Sequence, residues 1–344
     1  MIKVLIVDDS LFMRQLIPRM LAGFSDIEIS DTAKSGQEAL KKIASLKPDV
    51  VTLDLAMTGW SGLTTLKKIM KEYPTPVIVL SAYSAEDADI TLECLEAGAV
   101  GFVLKPSGEL SLDIGAVKEQ LANEIRAAAK VDVNKIESLT TKTQETLESH
   151  VSETDKIVVI GASTGGLQTL EILLSGLPGD FNLPIIIVQH MPAVAFTESI
   201  VKRFKQICNM VVKVAENEEQ IHHGIVYVIP GGCQAQCMKL SESNTVITIE
   251  KVNSNKPGTT PSIDLVMKSV AKIYDQKTLG IILTGMGCDG VEGMKAIKTL
   301  GGTTIAQDES ALIFGMPKEV IDAGVADYVL PVEEMAKEIV KFAY

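Results

Sequence analysis

The sequence predicts an α/β protein built from two doubly wound domains, and three observations carry that prediction. Short apolar runs rich in β-branched residues alternate with segments whose apolar spacing is near 3.6 residues, first over residues 1–129 and again from Lys156 onward. That alternation is the pattern of a parallel sheet flanked by helices. Between the two regions, residues 131–155 are polar and rich in Thr, Ser and Glu. Finally, the residues with chemistry fall where apolar runs end, and open α/β sheets gather their sites at the carboxyl ends of strands. A length of 344 residues, 46% of them hydrophobic, suffices for two cores without disulfides.

Composition narrows the function classes. Charges or prolines interrupt each apolar run well short of the ~18 residues a membrane span requires. Met1-Ile-Lys-Val-Leu-Ile-Val-Asp-Asp9 reads as a first strand and lacks a signal-peptide cleavage region, so a cytoplasmic protein that is not membrane-inserted is expected. The formal net charge of −12 argues against nucleic acid as a partner. Five cysteines without framework spacing fit a reducing compartment. Cys233 and Cys237 have a C-x-x-x-C spacing but no second Cys/His pair close by, which favours incidental thiols over a metal site. His222-His223, followed by Gly224, reads as a solvated turn.

In the first region, strands are expected at Ile2–Val7, Glu28–Ala33, Asp49–Leu53, Val77–Leu80 and Gly101–Leu104. Helical spacing covers Phe12–Ala22, Gly36–Leu46, Gly62–Lys71, Ala85–Ala97 and Leu112–Ala129. Asp8 and Asp9 end the first strand, Asp54 the third, Ser81 the fourth and Lys105-Pro106 the fifth. Three converging carboxylates repel one another unless a cation sits among them, and an all-oxygen site with open positions suits Mg²⁺. A hydroxyl and an ammonium at the same rim would hold the oxygens of a transferred phosphoryl group.

On Val7-Asp-Asp-Ser10, Leu53-Asp-Leu55, Leu80-Ser-Ala82 and Leu104-Lys-Pro106, residues 1–120 resemble a two-component receiver domain, a five-stranded parallel sheet of flavodoxin-like type. The resemblance implies that Asp54 accepts phosphoryl from a histidine kinase. It implies that Asp8, Asp9 and Asp54 bind Mg²⁺ with the carbonyl of Ala56, that Ser81 and Lys105 sense the phosphoryl group, and that Phe102 is the switch aromatic. One departure stands out. The family's usual Met-Pro-x-Met-Asp-Gly is here Met57-Thr-Gly-Trp-Ser-Gly62, which lacks the rigid proline and carries a Trp60 expected to be exposed.

Residues 121–155 are expected to form a mobile or weakly helical linker, and His150 within it is discounted as catalytic.

The second region opens on Ile157-Val-Val-Ile-Gly-Ala-Ser-Thr-Gly-Gly166, an apolar run that breaks at a hydroxyl pair and two glycines before the helical spacing of Leu167–Leu174. Taken alone, this suits a tight strand–helix turn, a phosphate-binding loop or a nucleophilic serine, Ser163, beside free helix amides. No lysine follows the glycines, which weakens the phosphate-loop reading. Further strands are expected at Leu183–Gln189, Val211–Val214, Ile225–Ile229, Leu279–Leu283 and Thr303–Ala306. Helices are expected at Ala193–Ile207, Ser262–Tyr274, Gly290–Thr299, Pro317–Ala323 and Glu333–Phe342. His190 follows one strand end, and the glycine-rich turn Leu283–Met294 offers Asp289 after another. Serine, histidine and aspartate at separate strand ends are the ingredients of a nucleophile, its base and the base's orienter. Their order, Ser then His then Asp, is not that of an α/β-hydrolase. The Gly285-Met286-Gly287 turn would also aim amides at a developing oxyanion.

On Ile160-Gly-Ala-Ser-Thr-Gly-Gly166, Gln189-His-Met-Pro192, Ile229-Pro-Gly-Gly232, Pro261-Ser-Ile-Asp264 and Leu283-Thr-Gly-Met-Gly-x-Asp-Gly290, residues 156–344 resemble the catalytic domain of chemotaxis protein-glutamate methylesterases, the CheB family. The resemblance implies a Rossmann-like, mostly parallel sheet and hydrolysis of glutamate methyl esters on methyl-accepting chemotaxis receptors. It also implies glutamine deamidation, relief of inhibition by phosphorylation, and no cofactor in the catalytic domain. Ser163 is then the nucleophile, His190 the base and acid, Asp289 its orienter, Thr164 the nucleophile's neighbour and Met286 an oxyanion-hole amide. Cys233–Cys237 and Lys256–Pro261 depart from the family pattern and are expected to line the approach to the site. A partner-binding second domain with little turnover, or a general small-ester hydrolase, remain alternatives at this level.

Overall fold

A computed structural model describes residues 1–82, 84–105, 114–133, 155–241, 244–252 and 260–344. Most of the expected linker with His150, Pro106, the start of the helix expected from Leu112 and most of Lys256–Pro261 lie outside the described residues. The chain divides into two compact units, Met1–Thr140 and Thr141–Tyr344.

In the first unit, strands β1 (Ile2–Val7), β2 (Ile27–Ala33), β3 (Val50–Asp54), β4 (Val77–Ser81) and β5 (Gly101–Leu104) alternate with helices α1 (Leu11–Leu21), α2 (Gly36–Leu46), α3 (Gly62–Glu72), α4 (Ala85–Glu96) and α5 (Ile114–Ala128). The strands form one parallel sheet in the order β2-β1-β3-β4-β5. β3 and β4 are buried along their whole length, as strands covered by helices on both faces must be. Helix starts are set locally: Ser10, Ser35, Ser61 and Ser84 each accept a hydrogen bond from the amide three residues on, satisfying a donor that the first turn leaves open. Trp60 is half-buried rather than exposed, because the Lys68 ammonium lies 4.6 Å from its ring centroid and covers one face.

The second unit begins with β6 (Ile157–Ala162), α6 (Gly166–Ser175), β7 (Ile185–Gln189), α7 (Val194–Ile207), β8 (Val211–Val214), β9 (Glu219–Gln220) and β10 (Ile225–Val228). It continues with β11 (Cys233–Ser241), β12 (Asn244–Lys251), α8 (Ile263–Tyr274), β13 (Thr278–Ile282), α9 (Val291–Thr299), β14 (Thr303–Gln307), α10 (Met316–Asp322), β15 (Tyr328–Leu330) and α11 (Val332–Ala343). Seven strands form a parallel sheet ordered β15-β14-β13-β6-β7-β10-β8. The chain winds outward from β6 to one side and returns at β13 to the other. β6 and β13 therefore flank the switch point, where such sheets open a crevice at their carboxyl ends. Both strands are fully buried.

A second, antiparallel sheet, β11-β12-β9, is absent from the parallel architecture expected from sequence. Cys233, Ala235 and Cys237 alternate inward with Gln234 and Gln236, a period of two that packs against α8, where the Cys237 amide donates to Ser269 Oγ at 2.9 Å. The two thiols are buried in one strand, four residues apart, a separation of about 13 Å. Burial pushes both thiols up, Cys237 to about 12, so they pack as neutral apolar groups. The Cys233–Cys237 segment thus braces α8.

Candidate active site and acidic rim

At the carboxyl end of the first sheet, carboxylate oxygens of Asp8, Asp9 and Asp54 lie within 4.8 Å of one another. Lys105 reaches between them, its Nζ 2.7 Å from Asp54 Oδ1 and 2.9 Å from Asp8 Oδ2. Asp8 is fully buried. Desolvation pushes its carboxyl above the usual range, opposed by the Lys105 hydrogen bond and charge and reinforced by the charge of Asp54. Backbone amides add further donors: Ser10 donates to Asp8 Oδ1, Thr58 to Asp9 Oδ2, and Ala56 to Asp54 Oδ1, the oxygen that also meets Lys105. Arg14, which the motifs did not single out, donates to the carbonyls of both Asp8 and Asp9 at 2.8 Å and so pins the β1–α1 loop. Ser81 Oγ lies 2.8 Å from the Thr91 hydroxyl. One ammonium against three carboxylates leaves the rim acidic, and an all-oxygen donor set of this kind fits Mg²⁺.

In the second unit the chain leaves β6 at Ala162 and turns at once. The Ser163 amide donates to the Thr284 carbonyl just beyond β13, at 3.0 Å, and the Gly166 amide donates back to the Ser163 carbonyl at 2.8 Å. Gly165 takes φ +79°, a conformation that penalises any Cβ, and the reversal leaves Ser163 half-buried at the sheet's edge. Gln189, the last residue of β7, is buried, and its amide nitrogen donates to the carbonyls of Ser163 and His190 at 2.9 and 3.2 Å. One side chain thus ties these two neighbouring strand ends together.

His190 Nδ1 lies 3.1 Å from Ser163 Oγ, and Nε2 lies 2.9 Å from Asp289 Oδ2. An ionised carboxylate only accepts, so the bond to Asp289 places the neutral ring's proton on Nε2 and leaves Nδ1 to accept from the serine hydroxyl. The His190 and Asp289 side chains are 10% and 15% exposed, shielded yet reachable. Burial acts most strongly on Asp289 and pushes its carboxyl up. Hydrogen bonds from His190 and from the Asp264 and Ile263 amides, with the imidazole's charge, outweigh it and hold the carboxyl below its ordinary range.

Gly285 backs Ser163: a Cβ there would sit 2.6 Å from Ser163 Cβ and 2.5 Å from Met316 Sδ. Its carbonyl accepts from the Met316 amide at 2.8 Å, so the turn presenting Met286 is anchored. Thr164 is half-buried beside Ser163, and its carbonyl accepts from Thr284 Oγ1 at 3.0 Å. The structure therefore brings Ser163, His190 and Asp289 into one hydrogen-bonded line, with Thr164 and Met286 in the adjoining turns. Gln189, Thr284 and Asp264 stand in the quoted motifs, but sequence reasoning gave none of them a role. The local signals for Gln189 and Asp264 were a polar residue closing an apolar strand and an acidic first helical turn.

Fold and acidic rim first define the class: a response regulator in which a receiver domain precedes an α/β output domain. The model of the response regulator receiver domain matches residues 4–113, and that of CheB methylesterase matches residues 158–339. The chain belongs to the CheB methylesterase family. A protein of Archaeoglobus fulgidus named protein-glutamate methylesterase/protein-glutamine glutaminase is 42% identical over 99% of this chain and 97% of its own length. One of the same name from Thermotoga maritima is 40% identical over 99% and 98%. The crystal structure of the Thermotoga maritima CheB methylesterase catalytic domain, 39% identical, covers 55% of this chain and 99% of its own with a TM-score of 0.52.

Proposed function

We propose that the chain is a phosphorylation-activated protein-glutamate methylesterase in which Ser163 is the nucleophile, His190 the general base and acid, and Asp289 the residue that orients His190. The observation that carries this reading is the continuous line from Ser163 Oγ through the two ring nitrogens of His190 to Asp289.

Ser163 Oγ attacks the carbonyl carbon of a glutamate γ-methyl ester while its proton passes to His190 Nδ1. The backbone amide of Met286 meets the oxyanion. As the tetrahedral adduct collapses, His190 returns the proton to the leaving methoxide and methanol departs, leaving a glutamyl ester on Ser163. Water then gives a proton to His190 and attacks the same carbon; cleavage of the ester restores glutamate and the serine hydroxyl. A glutamine side chain enters the same sequence with ammonia as the leaving group, in keeping with the second activity in the relatives' names. The substrate is the cytoplasmic region of methyl-accepting chemotaxis receptors.

A chemotaxis histidine kinase supplies the activating phosphoryl group, with Asp54 the acceptor. Asp8, Asp9 and Asp54 would hold Mg²⁺, which when bound offsets repulsion between carboxylates and the incoming group. Lys105 and Ser81 stand where the phosphoryl oxygens arrive.

The deciding experiment is methanol release from methylated receptor membranes. Ser163→Ala should lower it at least about a thousandfold, while Asp54 remains phosphorylatable. Release at the wild-type rate would sink the assignment.

A further inference from the structure

Asp289 is held by more than His190. Its Oδ2 also accepts from the Ile263 amide at 2.8 Å, and its Oδ1 accepts from the Asp264 amide at 2.9 Å. These are first-turn amides of α8, donors that a helix start leaves open. Asp264, inside that same turn, reaches back the other way. Its Oδ1 accepts from the amides of Gly290 and Gly293, at 3.0 and 2.6 Å, at the start of α9. Gly290 is the residue preceding α9 and has no side chain to cap it, so the missing acceptor comes from the neighbouring helix. The two helix starts are cross-satisfied, each by a carboxylate from the other.

The exchange leaves little slack around Asp289. Gly290, its immediate neighbour, sits at φ +101°, and a Cβ there would fall 2.4 Å from Ile282 Cδ1. A Cβ on Gly293 would fall 2.6 Å from Met267 Cβ of α8. The helices meet backbone to side chain, and Asp264 ties the Gly290 end of that contact.

We infer that Asp264 is a positioning residue that fixes the turn carrying Asp289 and, through it, the imidazole of His190. This rests on the Ser163–His190–Asp289 reading above. The charged groups facing Asp264 are Asp289 and Lys268, with His190 beyond Asp289. Burial pushes the Asp264 carboxyl up, with the charge of Asp289 adding to the rise, whereas Asp289 is held down. The pair's first proton therefore goes to Asp264, and Asp289 keeps its charge toward His190.

The test compares full-length Asp264→Ala, Asp264→Asn and Asp289→Ala with wild type. Active enzyme is counted by titration with a serine-reactive fluorophosphonate. Asp264→Ala should lower kcat about tenfold to a hundredfold with KM little changed. It should also shift the acidic limb of the kcat/KM profile to lower pH, the signature of a carboxylate displaced from beside a catalytic base. Asp264→Asn keeps an oxygen that accepts from Gly290 and Gly293 and should restore both. A merely structural role would reduce the titratable fraction and leave the limb in place. If Asp289→Ala moves the limb and Asp264→Ala does not, the inference is overturned and the triad stands. If Asp289→Ala leaves rate and limb unchanged, the triad reading falls and the inference with it.

Discussion

His190 uses Nδ1 toward the serine and Nε2 toward the aspartate, and the imidazole reaches its partners only if the Ser163 backbone stays where β13 holds it. Gly285 constrains that backbone, since the space for its Cβ is taken by Ser163 and Met316. Gly285→Ala is expected to cost about 1–3 kcal/mol of stability through overpacking and about a hundredfold in kcat through a shifted nucleophile. Thermal melts and steady-state esterase rates check both, and an unchanged kcat would show that the contact does not set the position of Ser163. Ser163, His190 and Asp289 were legible in sequence only as a set: Ser163 alone also suited a tight turn or a phosphate-binding loop, and it was the three residue types at or just beyond separate strand ends that pointed to a shared site. Asp264 and Gln189 were not. Their partners are backbone amides and carbonyls of other elements, and nothing in local spacing reveals which amide a tertiary fold leaves open.

At the scale of elements, the parallel strands other than β15, and their helices, were readable to within a residue or two, because burial on both faces forces continuous apolar runs and serine caps mark helix starts. β15 was not expected, since it is three residues long and two of them are exposed. The antiparallel sheet escaped because β9 spans two residues and the alternation in β11 is carried by Cys, Ala and Gln, side chains that advertise neither burial nor exposure. Helix α5 illustrates a contact that only the fold supplies. Arg126 makes a forked pair with both carboxylate oxygens of Asp26, just ahead of β2, at 2.7 and 2.9 Å. The hydrogen bond from Arg126 is the largest influence on Asp26 and holds it at about 2, below its ordinary 3.8. A depressed carboxylate contributes stability that is present above its unfolded value and lost as the pH falls toward its folded one. Arg126→Ala should therefore lower the urea midpoint at pH near 6, with the difference from wild type shrinking below pH about 4. The chain has a single tryptophan, Trp60, so its emission follows unfolding of this unit; a gap that stays constant down to pH about 3 would contradict the linkage.

For the whole molecule, the acidic rim and Ser163 lie in separate compact units, so on the proposed function control passes through a change in one unit that the other registers. With Mg²⁺ and a small phosphodonor, wild-type methanol release is expected to rise at least several-fold, a coupling of about 1 kcal/mol or more, and Asp54→Ala is expected not to respond. An equal response from that variant would remove Asp54 from the regulation. The order of the second sheet has a consequence of another kind. Strands β7, β6 and β13 lie side by side, yet the Ser163–His190 and His190–Asp289 pairs are 27 and 99 residues apart along the chain. Closing loops of that length is a late and slow event in a chain searching for its fold. Turnover is accordingly expected to return only once these strands have taken their native order, so catalytic competence is a stricter sign than helix content that the native topology has been reached.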